Sequence, residues 1–136
     1  MGGRRKGRII AFQAIYSFDI ACREIDELFT FSWIDEERRG RLKEETLAFS
    51  RLLVKGTIEN LPVIDEKIKE HLEHWDFSRL SRVDLAILRM SVFCLLYQPD
   101  IPATVTIDEA IDIAREFGTD ESYRFINGVL DSIQKH

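Results

Sequence analysis

Four cations open the chain. Arg4, Arg5, Lys6 and Arg8 all precede Asp19, the first acidic residue. Clustered Lys and Arg are the side chains that meet phosphate, through charge and, for Arg, a fork of donors. The rest of the chain has the opposite sign. It carries 19 Lys+Arg against 24 Asp+Glu, a net charge of −5, and subtracting the four cations leaves −9. A small basic arm on an acidic body favours a placed contact with nucleic acid over general coating of it. The other reading of such an arm is a solubilising terminus.

The remaining groups capable of chemistry are fewer. His71-Leu-Glu-His74 puts two imidazoles on one helical face, with Glu70 four residues before His74. A metal site would need further ligands from other helices, and no second motif of this kind occurs. A solvated helix end is the simpler expectation. Cys22 and Cys94 lie in apolar helical contexts and read as buried free thiols. There is no Gly-rich phosphate loop, no zinc spacing of cysteines and no recognisable Ser/His/Asp set. No cofactor and no enzymatic activity are expected. Asp108, Glu109, Asp112 and Glu116 form an acidic stripe, followed by Asp120 and Glu121. That stripe repels phosphate; it is either a solvated helix surface or a dock for a basic protein. Phe125 lies off the centre of its apolar stripe, beside the small residues Gly128 and Ser132. It is either a core aromatic or a platform on which a base or a partner side chain can pack.

The elements that must position these groups are all helical. No sustained period-two alternation occurs, and Asn127-Gly128 sits inside a helical pattern. A first helix over about 4–21 is apolar nearly all round, with Lys6, Gln13 and Ser17 in one narrow polar strip. Such a helix belongs in a core, so its basic end is expected to protrude. A shorter helix fits about 24–34, with Ile25, Leu28, Phe29 and Trp33 inward, and 35–41 is a loop or a helix start. A third helix, about 42–59, is expected to bury Leu42, Phe49, Leu52, Leu53 and Gly56. Pro62 starts or bends a further helix to about 74, where Trp75-Asp76-Phe77 interrupts the pattern. Ser81-Arg-Val-Asp84 has capping-box form and opens the most hydrophobic helix, to about Tyr97. Its two polar seams, Arg82/Arg89 and Asp84/Ser91, predict the central helix of a bundle. Pro99 and Pro102 end it. An amphipathic helix over about 103–117 stops at Gly118, and Thr119 or Asp120 caps the last.

At 136 residues, 45% hydrophobic and 32% charged, the chain fits one globular domain over 1–136, with the basic arm at 1–8. The longest apolar run, Val92–Tyr97, is far too short to span a bilayer. Gln13, Ser17 and Asp19 interrupt what would be a signal-peptide core, so a cytoplasmic location is expected.

Several segments together resemble the NusB transcription antitermination factors. They are Arg82-Val-Asp-Leu-Ala-Ile-Leu-Arg89, Pro99-Asp-Ile-Pro102, Thr106-Ile-Asp-Glu-Ala110, Ile113-Ala-Arg-Glu-Phe-Gly118 and Ser122-Tyr-Arg-Phe-Ile-Asn-Gly-Val-Leu-Asp131. The arginine-rich start and Phe12-Gln-Ala-Ile-Tyr16 are similar to that family's first helix. The middle, about 22–75, matches only in helical character. The resemblance implies an all-α fold of about seven helices in two packed sub-bundles. It implies a non-catalytic factor that binds boxA-type single-stranded nascent RNA with NusE, a ribosomal small-subunit protein. It also implies indirect association with the RNA polymerase elongation assembly on ribosomal RNA operons. By the same resemblance Arg4, Arg5, Lys6, Arg8, Phe125 and Asn127 are RNA contacts, and Asp84 and Arg89 face the partner. Asp108 and Asp112, from the acidic stripe, join these two as partner contacts. Gly7 departs from the family's helix-favouring residue and suggests a looser arm. Two other readings stay open: a NusB-like RNA-binding domain serving rRNA modification, and a helical protein-interaction module. The first normally precedes a catalytic domain, and no cofactor-binding pattern follows here. The second has no need of four cations before the first acid.

Overall fold

The computed structural model describes residues 3–21, 24–31, 33–73 and 76–135. Among them are eight α-helices and no strand: α1 (Gly3–Ala21), α2 (Ile25–Thr30), α3 (Glu36–Gly40), α4 (Glu44–Glu59), α5 (Leu61–Glu70), α6 (Arg82–Tyr97), α7 (Ala103–Phe117) and α8 (Ser122–Lys135). A single 3-10 turn, Phe77–Arg79, precedes α6. The all-α expectation of about seven helices therefore holds. The extra one is α3, a short helix whose first turn is capped by the Asp35 carboxylate accepting from the Arg38 N–H. Cys22, His74, Trp75 and the Ile25 side chain lie outside the described residues.

The helix α6 is the centre. It packs against α1, α4, α5, α7 and α8. Leu85 through Cys94 form an unbroken buried run on it, as a helix covered on both faces requires. Its cap is half of the expected box. The Ser81 hydroxyl accepts from the Asp84 N–H at 3.0 Å, but the Asp84 Oδ1 has no hydrogen-bond partner. Beside α6, α1 lies along α4 and α7 lies along α8. Pro62 sits in the first turn of α5, where its missing N–H costs nothing. The α5 helix ends at Glu70, four residues before the expected end.

Two glycines set helix separations. A Cβ on Gly56 would meet the Phe93 ring at 2.1 Å, so only glycine lets α4 close on α6. A Cβ on Gly7 would lie 2.9 Å from the Phe49 ring and 3.3 Å from the Thr46 carbonyl oxygen. The Ser50 hydroxyl also donates to the Gly7 carbonyl at 2.7 Å. The looser arm expected from Gly7 is thus corrected: the glycine brings α1 tight onto α4. Leu52, expected in the core, is 46% exposed, because Leu53 and Val54 take the inward positions.

Arginine–carboxylate pairs tie the layers. Arg89 is itself buried and donates from Nε and NH2 to the two Asp65 oxygens of α5, at 2.8 and 2.9 Å. Its other terminal nitrogen lies 3.6 Å from Asp19 of α1, which also pairs with Arg82 at 3.4 Å. Removing one member of such a buried pair leaves the other charged and unpaired, which is why these groups are structural. Cys94, a free and buried thiol of α6, is pushed up to about 11 by burial. No described helix is long and apolar enough to cross a membrane.

Candidate nucleic-acid interface

The basic start of the chain is not a loose arm. From Gly3 on it is the first two turns of α1, and helical geometry sends its cations in different directions. Arg4 and Arg8, four residues apart, straddle the Phe49 ring of α4, their guanidinium carbons 4.6 and 5.3 Å from its centroid. Arg5 turns to α7. Its Nε donates to Glu109 at 3.0 Å and its NH2 pairs with Asp112. Lys6 turns to α3, where it shares a cavity wall with Arg38 and Arg41.

Burial then separates the four. Arg4 and Lys6 are exposed and Arg5 is 40% exposed. Arg8 is 5% exposed, so the expectation of a protruding basic end fails there. It lies at the α1–α4 seam, where burial lowers its pKa, opposed in part by Glu109. An arginine stays charged through such a shift. Its charge acts from behind the surface. Arg5 moves the other way: the hydrogen bond and charge of Glu109 come first, and Asp112 adds to them. Glu109 and Asp112 are therefore not simply a solvated stripe. The acids of α7 hold one of the cations expected to meet RNA. Asp108, on the same helix, is exposed.

The second candidate region is the start of α8. Phe125 is half-buried and lines two cavities. One, of about 250 Å³, is shared with Asp84, Ser81, Arg79 and Glu121. The other, of about 290 Å³, is shared with His71, Arg124, Gly128 and Ser132. A Cβ on Gly128 would meet nothing within 4 Å, so this flank of α8 is open. Asn127 is exposed nearby. The Nδ1 of His71 lies 2.7 Å from the Ser132 hydroxyl, which gives this imidazole a role within the α5–α8 contact. No group of three or more metal-ligating side chains occurs among the described residues.

Asp84 belongs to this region and Arg89 does not. Asp84 is half-buried and lines the same cavity as Phe125, and its Oδ1 is buried without a hydrogen-bond partner. Arg89, expected to face a partner, is spent on Asp65 and Asp19 inside the bundle. Sequence reasoning missed Phe49, Arg38 and Arg41, which stand against the basic turns of α1. The signal for the two arginines was the run Glu-Glu-Arg-Arg-Gly-Arg at 36–41, in the least recognisable part of the chain, and Phe49 was read only as a core residue.

Comparison with known proteins fits this arrangement. The chain is 52% identical over 133 residues to the transcription antitermination protein NusB of Treponema pallidum strain Nichols, spanning 98% of this chain and 93% of that protein. It is 44% identical over 137 residues to the protein of that name from Citrifermentans bemidjiense, at 98% and 94% coverage. The solved NusB of T. maritima superposes with a TM-score of 0.85 at 38% identity, covering 98% of this chain and 91% of that one. The same fold occurs in a crystal structure of antitermination factors NusB and NusE in complex with dsRNA, with a TM-score of 0.86, 24% identity and coverage of 99% and 98%. The NusB family model matches residues 5–135, from the basic turns of α1 to the end of α8, and the chain belongs to the NusB family.

Proposed function

We propose that this protein is a transcription antitermination factor that binds boxA-type nascent RNA together with NusE and acts on ribosomal RNA operons. The near-full-length identity of 52% to a protein of that name carries the reading. The exposed cations at the start of α1 supply the chemistry that RNA demands. The role is binding without catalysis, in the cytoplasm, and the elongating polymerase is reached through the assembled complex.

The roles divide by accessibility. Arg4 and Lys6 contact phosphate directly, and Arg5 does so in exchange for its acids on α7. Arg8 adds charge from the α1–α4 seam. The half-buried Phe125 and the exposed Asn127 lie on the open flank of α8, where bases can pack and pair. The half-buried Asp84 and the exposed Asp108 receive the basic partner. Arg89 supports this surface from behind by fixing α6, and Asp112 holds Arg5 until phosphate displaces it.

The test is a titration of labelled boxA-type RNA with this protein, with and without NusE, against a scrambled RNA of equal length. Selective binding that NusE strengthens is the expected result. Equal binding to both RNAs, unaffected by NusE, would overturn the proposal.

A further inference from the structure

The polar strip of α1 runs from Lys6 away from the two regions above. Lys6 and Gln13 are seven residues apart and therefore on one face. Both border a cavity of about 330 Å³ between α1, α3 and the end of α7. That is within the size range of small-ligand sites, about 300–1,000 Å³. Arg38 and Arg41 close it from α3, and Leu42 and Phe117 give it apolar walls. Among the described residues neither Lys6 nor Arg38 enters an ion pair, whereas Arg41 pairs with the exposed Glu37. Glu116 stands on the same rim and offsets one charge. The side-chain oxygen of Gln13 is buried with no hydrogen-bond donor in reach. A buried acceptor left unmet is costly, so it marks a place where a donor belongs. The terminal amide torsion is broad, so the amide of this cavity-lining residue has freedom to reorient.

Cations at the rim, apolar walls and one acceptor without a donor match the parts of a nucleotide: phosphate, ring and base edge. We infer that the cavity between α1 and α3 takes one nucleotide of the bound RNA, with its phosphate at Lys6 and Arg38 and its base donating to Gln13. This rests on the RNA-binding reading above and extends it to residues that nothing so far assigns. The chemistry favours adenine, cytosine or guanine, whose exocyclic amino groups donate. Uracil flanks its single N–H with two carbonyls, which face the Gln13 oxygen unfavourably. The RNA path would then run from Arg4 around α1 onto α3.

The experiment measures boxA-type RNA binding by the full chain, by Gln13→Leu and by Arg38→Ala, each over a salt series. Gln13→Leu should weaken binding about two- to tenfold, the range of one hydrogen bond. It should melt at or above the wild-type temperature, because it removes an unmet acceptor. Arg38→Ala should weaken binding and flatten the log–log salt slope by about 0.7, one phosphate on a single strand. Amide resonances around Gln13 should respond more to AMP, CMP and GMP than to UMP or inorganic phosphate. Wild-type protein that binds no RNA overturns the functional reading and this one with it. Wild-type binding matched by both variants overturns the cavity alone. Equal responses to inorganic phosphate and to the nucleotides would show a cation cluster without a base site. A Gln13→Leu protein of reduced stability would show that its amide is needed by the fold.

Discussion

The two ends of α1 are held by the same kind of bond in opposite senses. Near its start, Arg5 reaches across to Glu109 and Asp112 of α7; near its end, Asp19 pairs with Arg82 and Arg89 of α6. The first cluster stands half in solvent, whereas Arg89 at the second has 11% of its side chain exposed. Water screens the first and leaves it exchangeable, so its arginine can trade a carboxylate for a phosphate. The second is desolvated, and breaking it strands a charge. On the proposed function, one pair chemistry would serve binding at one end and architecture at the other, with burial deciding which.

The comparison breaks most visibly at the buried end. Asp65→Ala should cost about 3–5 kcal/mol in denaturant unfolding, because Arg89 loses both of its short hydrogen bonds. Adding Arg89→Met should recover part of that loss; a double variant no more stable than the single would show that the charge is not the cause. A smaller effect, on binding, is expected at α8. Phe125→Ala should weaken RNA or RNA–NusE binding by about 1–3 kcal/mol, the worth of one stacked base. Its half-buried ring should make the stability loss less than the ~3–5 kcal/mol of a core phenylalanine. Melting far below wild type would assign Phe125 to the core.

At the exposed end the effects are smaller again. Arg4→Ala with Lys6→Ala should flatten the log–log salt slope of RNA binding by about 1.4, two phosphates at 0.7 each. An unchanged slope in fluorescence titrations would remove both from the contact surface. The smallest effect sharpens the comparison best. Glu109→Gln with Asp112→Asn should leave the melting temperature close to that of the wild type, as for exposed pairs. It should strengthen RNA binding up to about fivefold, the free-energy equivalent of releasing Arg5 from such a pair. Weaker binding would mean that the acids serve to aim Arg5 rather than to compete for it.

Some of this was legible in the chain. The apolar run of α6, its Ser81 cap and its proline stop depend on local spacing, so they predicted the central helix that the structure contains. The segregation of four cations ahead of Asp19 is likewise a property of order along the chain. The difference between those cations was not legible. Arg4, Arg5, Lys6 and Arg8 are alike in type and adjacent in sequence, yet one is buried, one is clamped and two are exposed. Gly7 pointed the wrong way for the same reason: its value lies in Phe49 and Thr46, about forty residues away.

Composition and periodicity by themselves determined an all-α bundle, its central helix and the sign of its first two turns, because each is written in the nearest few residues. The tertiary structure alone decided which charges remain free. A charge is available only if no opposite charge from another helix reaches it first. The meeting of Arg5 with Glu109 and of Arg89 with Asp65 depends on how α1, α5, α6 and α7 pack, not on any local pattern.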